Sequence, residues 1–129
     1  GYDEYESKGL LKFKDILVDF RRATIDEEIL ALQNSVEINY ENKVKIKIFK
    51  PEYAINIAIK VGRPRDDEKI YSLLERDKNE NYKFLDKKLL KKILVENENL
   101  DKFKNHLIYF SKDESIKGIR KVYEKDFSF

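Results

Sequence analysis

The chain contains no cysteine, no methionine and no tryptophan, and only one histidine, four glycines and two prolines in 129 residues. Without cysteine it has neither a disulfide framework nor a thiolate metal site. A single histidine argues against a histidine-rich metal site. No apolar run approaches the roughly 18 residues of a membrane-spanning helix, and no signal-peptide pattern is visible. These absences predict a soluble cytoplasmic protein with no membrane partner.

The composition is that of a highly charged protein with enough apolar residues for a core. Charged residues make up 40% and hydrophobic residues 41%, and the length favours one domain. The formal net charge is only +2, which is too small to indicate nucleic-acid binding by itself. Any basic function therefore depends on local clusters of lysine and arginine.

Three segments in the first 50 residues show patterns that predict strands or a short helix. Residues 13–20 alternate and predict one strand, with Asp15 and Asp19 on the face opposite Ile16. Asp26 is a favourable N-cap for a short helix through Gln33. Residues 35–40 and 44–49 also alternate around a polar turn, which predicts an antiparallel hairpin with one apolar face.

The remainder of the chain has helical periodicity. Pro51 suits the first turn of a helix that runs to about Val61, and Gly62 suits a left-handed stop after it. Asp66 and Asp86 are favourable starts for two further helices. Apolar residues at helical spacing predict two more helices, over residues 100–110 and near residues 116–123.

Strands therefore precede helices, which predicts an α+β fold. We expect an antiparallel or mixed sheet followed by a C-terminal helical bundle. Residues 1–75 form the α/β region of this interpretation, and residues 76–129 form a helical region that packs on it within one compact domain.

The segment 46–74, IKIFKPEYAINIAIKVGRPRDDEKIYSLL, predicts a strand, a proline-started helix, a tight turn and a second helix. It resembles the minimal nucleotidyltransferase-like superfamily, whose polymerase-β-like palm includes toxins and antitoxins. The matching positions are Val44, Ile46, Pro51, Glu52, Lys60, Gly62, Arg63, Arg65, Asp66, Ile70 and Leu73. The run FKDILVDF resembles that family's strand with its third metal-site carboxylate, which would be Asp19. The resemblance implies a nucleotidyltransferase-like sheet over residues 13–74.

The resemblance also implies an activity. In a complete member, Mg²⁺ bridges carboxylates and phosphates while a nucleoside monophosphate passes from an NTP to a protein or RNA acceptor. By this resemblance, Asp19 is the metal ligand, Asp19, Lys60 and Asp66 are the catalytic residues, and Lys60 and Arg63 bind the nucleotide. Two positions depart from the family pattern: Arg65 replaces the usual lysine, and Lys69 stands where a second acidic residue is common.

One part of the family pattern is missing. The sequence has no glycine-serine turn followed by a D-x-D pair, which would supply the other metal ligands. The chain begins at Gly1, without methionine, with a GYDE stretch that resembles the family's segment after the helix that follows the D-x-D strand. We therefore expect a missing N-terminal portion and no catalysis by this chain alone. A complete small protein that carries a cloning remnant is the alternative.

Each proposed site residue also has a structural interpretation. Asp19 could be a strand-end carboxylate that faces solvent. Lys60 could extend from the end of an apolar helix, where the helix dipole favours a cation. Asp66 could be a helix cap with Arg63 as its salt-bridge partner. His106 has no evident partner in the sequence, which predicts a surface histidine.

The alternative function is a noncatalytic interaction module, such as a toxin–antitoxin component or a nucleic-acid adaptor. Two lysine rows, at residues 43–50 on the hairpin and 87–92 on a helix, could follow a phosphate backbone or could simply be solvated. A D-x-D pair encoded before Gly1 would favour the enzyme, and its absence would favour the module.

Overall fold

The computed structural model describes residues 10–13, 16–19, 25–110 and 114–127, with side chains over 25–110 and 118–127. The described elements are strands β1 (Leu10–Phe13) and β2 (Ile16–Asp19), helix α1 (Asp26–Gln33), strands β3 (Val36–Tyr40) and β4 (Val44–Ile48), and helices α2 (Pro51–Val61), α3 (Pro64–Asn79), α4 (Lys87–Glu96), α5 (Leu100–Phe110) and α6 (Glu114–Phe127). The fold is α+β and mostly helical.

The strands form two separate antiparallel hairpins. In the first, Leu10 lies opposite Asp19 and Phe13 lies opposite Ile16. The expectation of one strand over residues 13–20 was therefore wrong, because the apolar residues on either side of the polar pair at 14–15 belong to two strands. The second hairpin confirms its prediction, with Val36 opposite Ile48 and Tyr40 opposite Val44.

Two helix starts differ from the expectation. Asp26 is the first residue of α1, and Ile25 takes the N-cap position with no side-chain cap bond. The carboxylates at positions 26, 27 and 28 instead lie in the first turn, where the helix dipole favours them. Helix α3 begins at Pro64, earlier than predicted, whereas Asp86 does cap α4 by accepting a bond from Leu89 N at 3.1 Å.

Helix α2 lies at the centre of the described fold. It packs against α1, α3 and α4, and the side chains of Ile55, Ala58 and Ile59 are buried. The prediction of a buried proline-started helix is confirmed. Its end is also confirmed, because Gly62 has φ +69°, a left-handed conformation that glycine adopts without strain.

One apolar core joins α2 to all four helices that follow it. The buried members of this core are Ile55, Ala58, Ile59, Ile70, Leu74, Leu85, Leu90, Leu94, Phe103, Leu107, Ile119, Tyr123 and Phe127. Helix α3 runs across residue 75, so it belongs to both of the regions proposed from the sequence. No described helix has the length and apolar character that crossing a bilayer requires.

Buried polar side chains connect the elements at three points. Glu52 in α2 accepts a bond from Asp86 N at 2.7 Å, which fixes the start of α4. Asn99, just before α5, donates to Asn56 at 2.8 Å and to Glu27 at 3.0 Å. These bonds hold α1 and α2 against the turn between α4 and α5. The third point is Asp77, described with the site below.

Candidate functional site

The turn between α2 and α3 is fixed by an ion pair between two of the predicted site residues. Arg63 Nε donates to Asp66 Oδ2 at 2.8 Å, and the backbone N–H of Arg63 donates to the same oxygen at 3.0 Å. Arg63 is the N-cap of α3, and Asp66 is its third residue, so the Asp66 carboxylate caps the start of the helix by accepting from the Arg63 backbone. The structural interpretation of Arg63 and Asp66 is therefore observed, and their roles in nucleotide chemistry stay predictions.

This pairing also determines the charge state of Asp66, whose side chain is only 7% exposed. Burial by itself raises the pKa of Asp66. The hydrogen bonds from the Arg63 side chain and backbone, with the charges of Arg63 and Lys69, outweigh burial and hold the pKa below its usual value. Asp66 is thus an anion whose carboxylate already accepts hydrogen bonds from Arg63.

Lys60 lies in the last turn of α2, before Gly62, and takes no part in the pair of Arg63 and Asp66. It lines a groove of about 550 Å³ between the C-terminal end of α2 and helix α5. We call this the Lys60–Lys102 groove, after its two lysines. Its other lining residues are Ile59, Val61, Gly62, Asp67, Asn105, His106 and Tyr109.

The two lysines give the groove its positive charge. Both are exposed, and neither forms an ion pair with any residue of the described ranges. Asn105 adds an amide, and Tyr109, a residue that is 63% exposed, adds an aromatic ring. Ammonium groups bind phosphate as point charges, and an exposed ring offers a base a surface for stacking.

His106 has a partner that the sequence did not indicate. Its Nδ1 lies 3.3 Å from Asp67 Oδ1, and its side chain is 20% exposed. The ring also lies against Phe110, with centroids 5.8 Å apart. His106 is partly exposed at the surface, as expected, but its partner could not be found in the sequence because α3 and α5 bring together residues 39 positions apart in the chain. His106 therefore holds Asp67 at the edge of the groove.

A second groove lies on the other face of Lys60. It has a volume of about 490 Å³, and four carboxylates line it together with Lys60: Asp26, Glu27, Glu96 and Glu98. These carboxylates repel a phosphate, whereas Lys102 on the α5 side attracts one. An anion at Lys60 is therefore expected in the Lys60–Lys102 groove.

The predicted metal ligand cannot be compared with this geometry. Asp19 ends β2, but its side chain lies outside the described residues, so its proximity to Lys60, Arg63 and Asp66 stays a prediction. Within the described ranges, no three histidine, aspartate or glutamate side chains form a group that could hold a metal ion.

Sequence reasoning missed the most connected buried carboxylate. Asp77 is fully buried and accepts bonds from Leu85 N at 2.8 Å, Phe84 N at 3.0 Å and the Tyr123 hydroxyl at 2.7 Å. Burial, followed by the bond to Asp77 and its charge, raises the pKa of Tyr123 far above its usual value. Asp77 therefore joins the end of α3 to the following loop and to α6.

Lys87 belongs to the same cluster. It was expected to face solvent in the lysine row of α4, and that expectation was wrong. Its Nζ donates to the Tyr82 carbonyl at 2.7 Å and lies 3.4 Å from Asp77 Oδ2. Lys87 is the first residue of α4 and lies two residues after Leu85, whose backbone N–H is bonded to the buried Asp77. That position near the end of the loop was the one sequence feature that set it apart from the other lysines of the row.

Comparisons of the chain with protein-family models, with curated proteins and with solved structures found no match.

Proposed function

We propose that this chain is a nucleotide-binding relative of the nucleotidyltransferase-like superfamily and that the Lys60–Lys102 groove binds the phosphates. The observation that carries the proposal is the convergence of Lys60 and Lys102 on one groove beside the exposed ring of Tyr109. Lys60 is also a position of the family resemblance. A nucleotide combines a polyphosphate with an aromatic base, which matches the two kinds of group in the groove.

In this proposal the chain binds a nucleotide but does not transfer a nucleoside monophosphate by itself. A complete protein of this family would transfer a nucleoside monophosphate from an NTP to a protein or RNA acceptor. When bound, Mg²⁺ would neutralise charge on the phosphates, and Asp19 is the residue of this chain expected to contact it. Asp66 would instead hold the turn that positions Lys60, since its carboxylate is bonded to Arg63.

The affinity of the groove is expected to be weak. Its lysines are exposed, and exposed ion pairs contribute only about 0.2–1 kcal/mol each. We expect a dissociation constant no tighter than about 1 mM, which corresponds to roughly −4 kcal/mol. Salt should weaken the binding further, because it screens exposed charges.

A titration followed by amide NMR spectra tests the proposal. ATP should shift the resonances of α5 and of the end of α2. Lys60→Ala and Lys102→Ala should each weaken binding by up to about fivefold, which is the upper range for one exposed pair. Lys121→Ala is the matched control, because Lys121 is also an exposed helical lysine and lies away from the groove. Shifts that centre on another surface, or an unchanged affinity in both groove variants, would contradict the proposal.

The catalytic part of the proposal has its own test. The chain is incubated with labelled NTPs, Mg²⁺ or Mn²⁺, and a mixture of tRNA and protein acceptors. We expect no label transfer. Transfer by this chain that disappears in Asp19→Asn would show that a carboxylate set outside the described residues completes the site.

A noncatalytic interaction module is the second candidate, and one observation favours it. The apolar face of the β3–β4 hairpin is exposed, with Val36 and Ile48 both 47% exposed. Exposed apolar surfaces of this kind are typical of protein interaction sites. A chain that binds no NTP in the titration above but does associate through this hairpin would support the module.

A further inference from the structure

The β3–β4 hairpin presents an apolar face that no described element covers. Val36, Ile38, Val44 and Ile48 lie on this face, and each is 39–47% exposed. The cross-strand pairs Val36–Ile48 and Ile38–Ile46 place these side chains on one surface. A two-stranded hairpin is marginally stable by itself, so this element would gain stability from additional strands.

The two edges of the hairpin carry different charges. In the described part of the chain, β3 pairs only with β4, so the outer edge of each strand has no strand beside it. If two copies paired through β4 with a two-fold axis at any of the three central residues of that strand, Lys45 or Lys47 would lie opposite another lysine. Lysines on an edge strand discourage such pairing. Strand β3 instead carries Glu37 and Asn39 on its polar face.

Charge also selects one register for pairing through β3. If the two-fold axis passes through Ile38, Val36 lies opposite Tyr40 of the other copy and Glu37 lies opposite Asn39. An axis at Glu37 places two glutamates opposite each other, and an axis at Asn39 places Glu37 opposite Glu41. Like charges that lie opposite each other are destabilising. A two-fold axis that passes midway between two residues shifts the register by one, so polar side chains of one copy would lie opposite apolar side chains of the other. Among the axes that pass through the three central residues of β3, only the one at Ile38 avoids both penalties.

We infer that two copies of this chain associate through antiparallel pairing of their β3 strands, centred on Ile38. The product is a four-stranded sheet in the order β4, β3, β3, β4, with one continuous apolar face. The lysine-bearing β4 strands become its outer edges, where they oppose further growth. The association is closed because the same patch is used on both copies.

A head-to-tail pairing of β3 with β4 of the next copy is the competing arrangement. It would place Glu37 near lysines, but it leaves an open edge at each end and therefore forms filaments. Between residues 36 and 48, each hairpin carries three lysines and two glutamates. Positive charge would thus accumulate along a filament, whereas the closed pair stops at two copies.

The polar pair at Glu37 and Asn39 allows a test that does not disturb folding. Within one hairpin, Asn39 lies opposite Lys45, which also lies 3.8 Å from Glu37, so Asn39→Glu places a second carboxylate beside this lysine. Between copies the same change places glutamate opposite Glu37 twice. The sedimentation of the full chain at increasing concentrations measures both association and mass.

We expect the wild-type chain to reach a mass of about 31 kDa, which is twice 15.5 kDa, without larger species. Two new like-charge pairs at up to about 1 kcal/mol each should raise the dimer dissociation constant of Asn39→Glu by up to about thirtyfold. Asn39→Gln is the matched control and should retain wild-type association. Glu37→Gln combined with Asn39→Glu removes the repulsion and should restore the dimer.

Three results would overturn the inference. The first is a wild-type mass of one chain at every concentration up to the solubility limit. The second is an open-ended series of masses, which indicates head-to-tail pairing. The third is a dimer whose dissociation constant is the same in Asn39→Glu as in Asn39→Gln, because that dimer would use a different surface or register.

Discussion

Removal of the Asp77 carboxylate is expected to destabilise the protein more than any other single polar change. Asp77 is fully buried, and its oxygens accept three hydrogen bonds at 2.7–3.0 Å. Asp77→Ala leaves Leu85 N–H and the Tyr123 hydroxyl without their acceptor. It also leaves Lys87, whose side chain is 14% exposed, without its anion.

The magnitude follows from these contacts. Removing one partner of a buried ion pair costs about 3–5 kcal/mol, because the remaining charge has no compensation. Tyr123→Phe removes one bond to a charged acceptor and should cost roughly 1.5–3 kcal/mol. With an entropy of unfolding of about 2.1 cal/mol/K per residue, a loss of 1 kcal/mol in the free energy of unfolding lowers the melting temperature of a chain of this length by roughly 4 °C. Asp77→Ala should therefore lower it by about 10–20 °C.

Thermal unfolding of four proteins, monitored by circular dichroism, tests this reasoning as a double-mutant cycle. The set is the wild type, Asp77→Ala, Tyr123→Phe and the double variant. Tyr123→Phe should cost clearly less in the Asp77→Ala background, because its acceptor is already absent. Asp101→Ala is the control, since Asp101 is exposed in the first turn of α5 and should cost less than about 1 kcal/mol. If Asp77→Ala melts within about 2 °C of the wild type, the assignment of Asp77 as the connection between α3 and α6 is wrong.

Two further predictions concern the core and the turn. Ile55→Ala should lower the free energy of unfolding by about 2–5 kcal/mol, because Ile55 is fully buried in α2. Chemical denaturation measures this loss, and an unchanged denaturation midpoint would show that α2 is peripheral. Arg63 lowers the pKa of Asp66 in the folded state. The ionised carboxylate therefore stabilises the folded protein fully at pH values above the unfolded pKa near 4, and this stabilisation is lost as the pH falls through the folded pKa. Asp66→Asn should therefore weaken the dependence of stability on pH below about 4, and an identical pH profile in the variant would contradict the pairing.

Local patterns predicted the elements whose signals lie within a few residues. The hairpin was found from its alternation, and α2 was found from Pro51, its apolar surface and Gly62. The start of α3 was placed too late because Asp66 looked like an N-cap. In the structure Asp66 does cap the helix, but from its third position through the Arg63 backbone.

Contacts between distant residues could not be predicted in the same way. The pairing of His106 with Asp67 and of Tyr123 with Asp77 depends on how the helices pack. No periodicity within one helix encodes such a partner. The same reason explains why Lys102 was missed: it belongs to α5, and only the tertiary fold brings it to the groove that Lys60 also lines.

The hairpin shows a different limit. Alternation predicts which residues share a face, and the register confirms that prediction for Val36, Ile38 and Ile48. It does not predict whether that face meets the core. Here the core lies among the helices, and the apolar side of the hairpin remains exposed.

Affinity labelling of the Lys60–Lys102 groove tests the central claim most directly. ATP oxidised to its ribose dialdehyde forms imines with lysines near a bound nucleotide, and borohydride reduction makes the link permanent. Peptide mass spectrometry should find the label on Lys60 or Lys102, and excess ATP should suppress it. Equal labelling of Lys121 and the groove lysines, unaffected by ATP, would contradict nucleotide binding at this site.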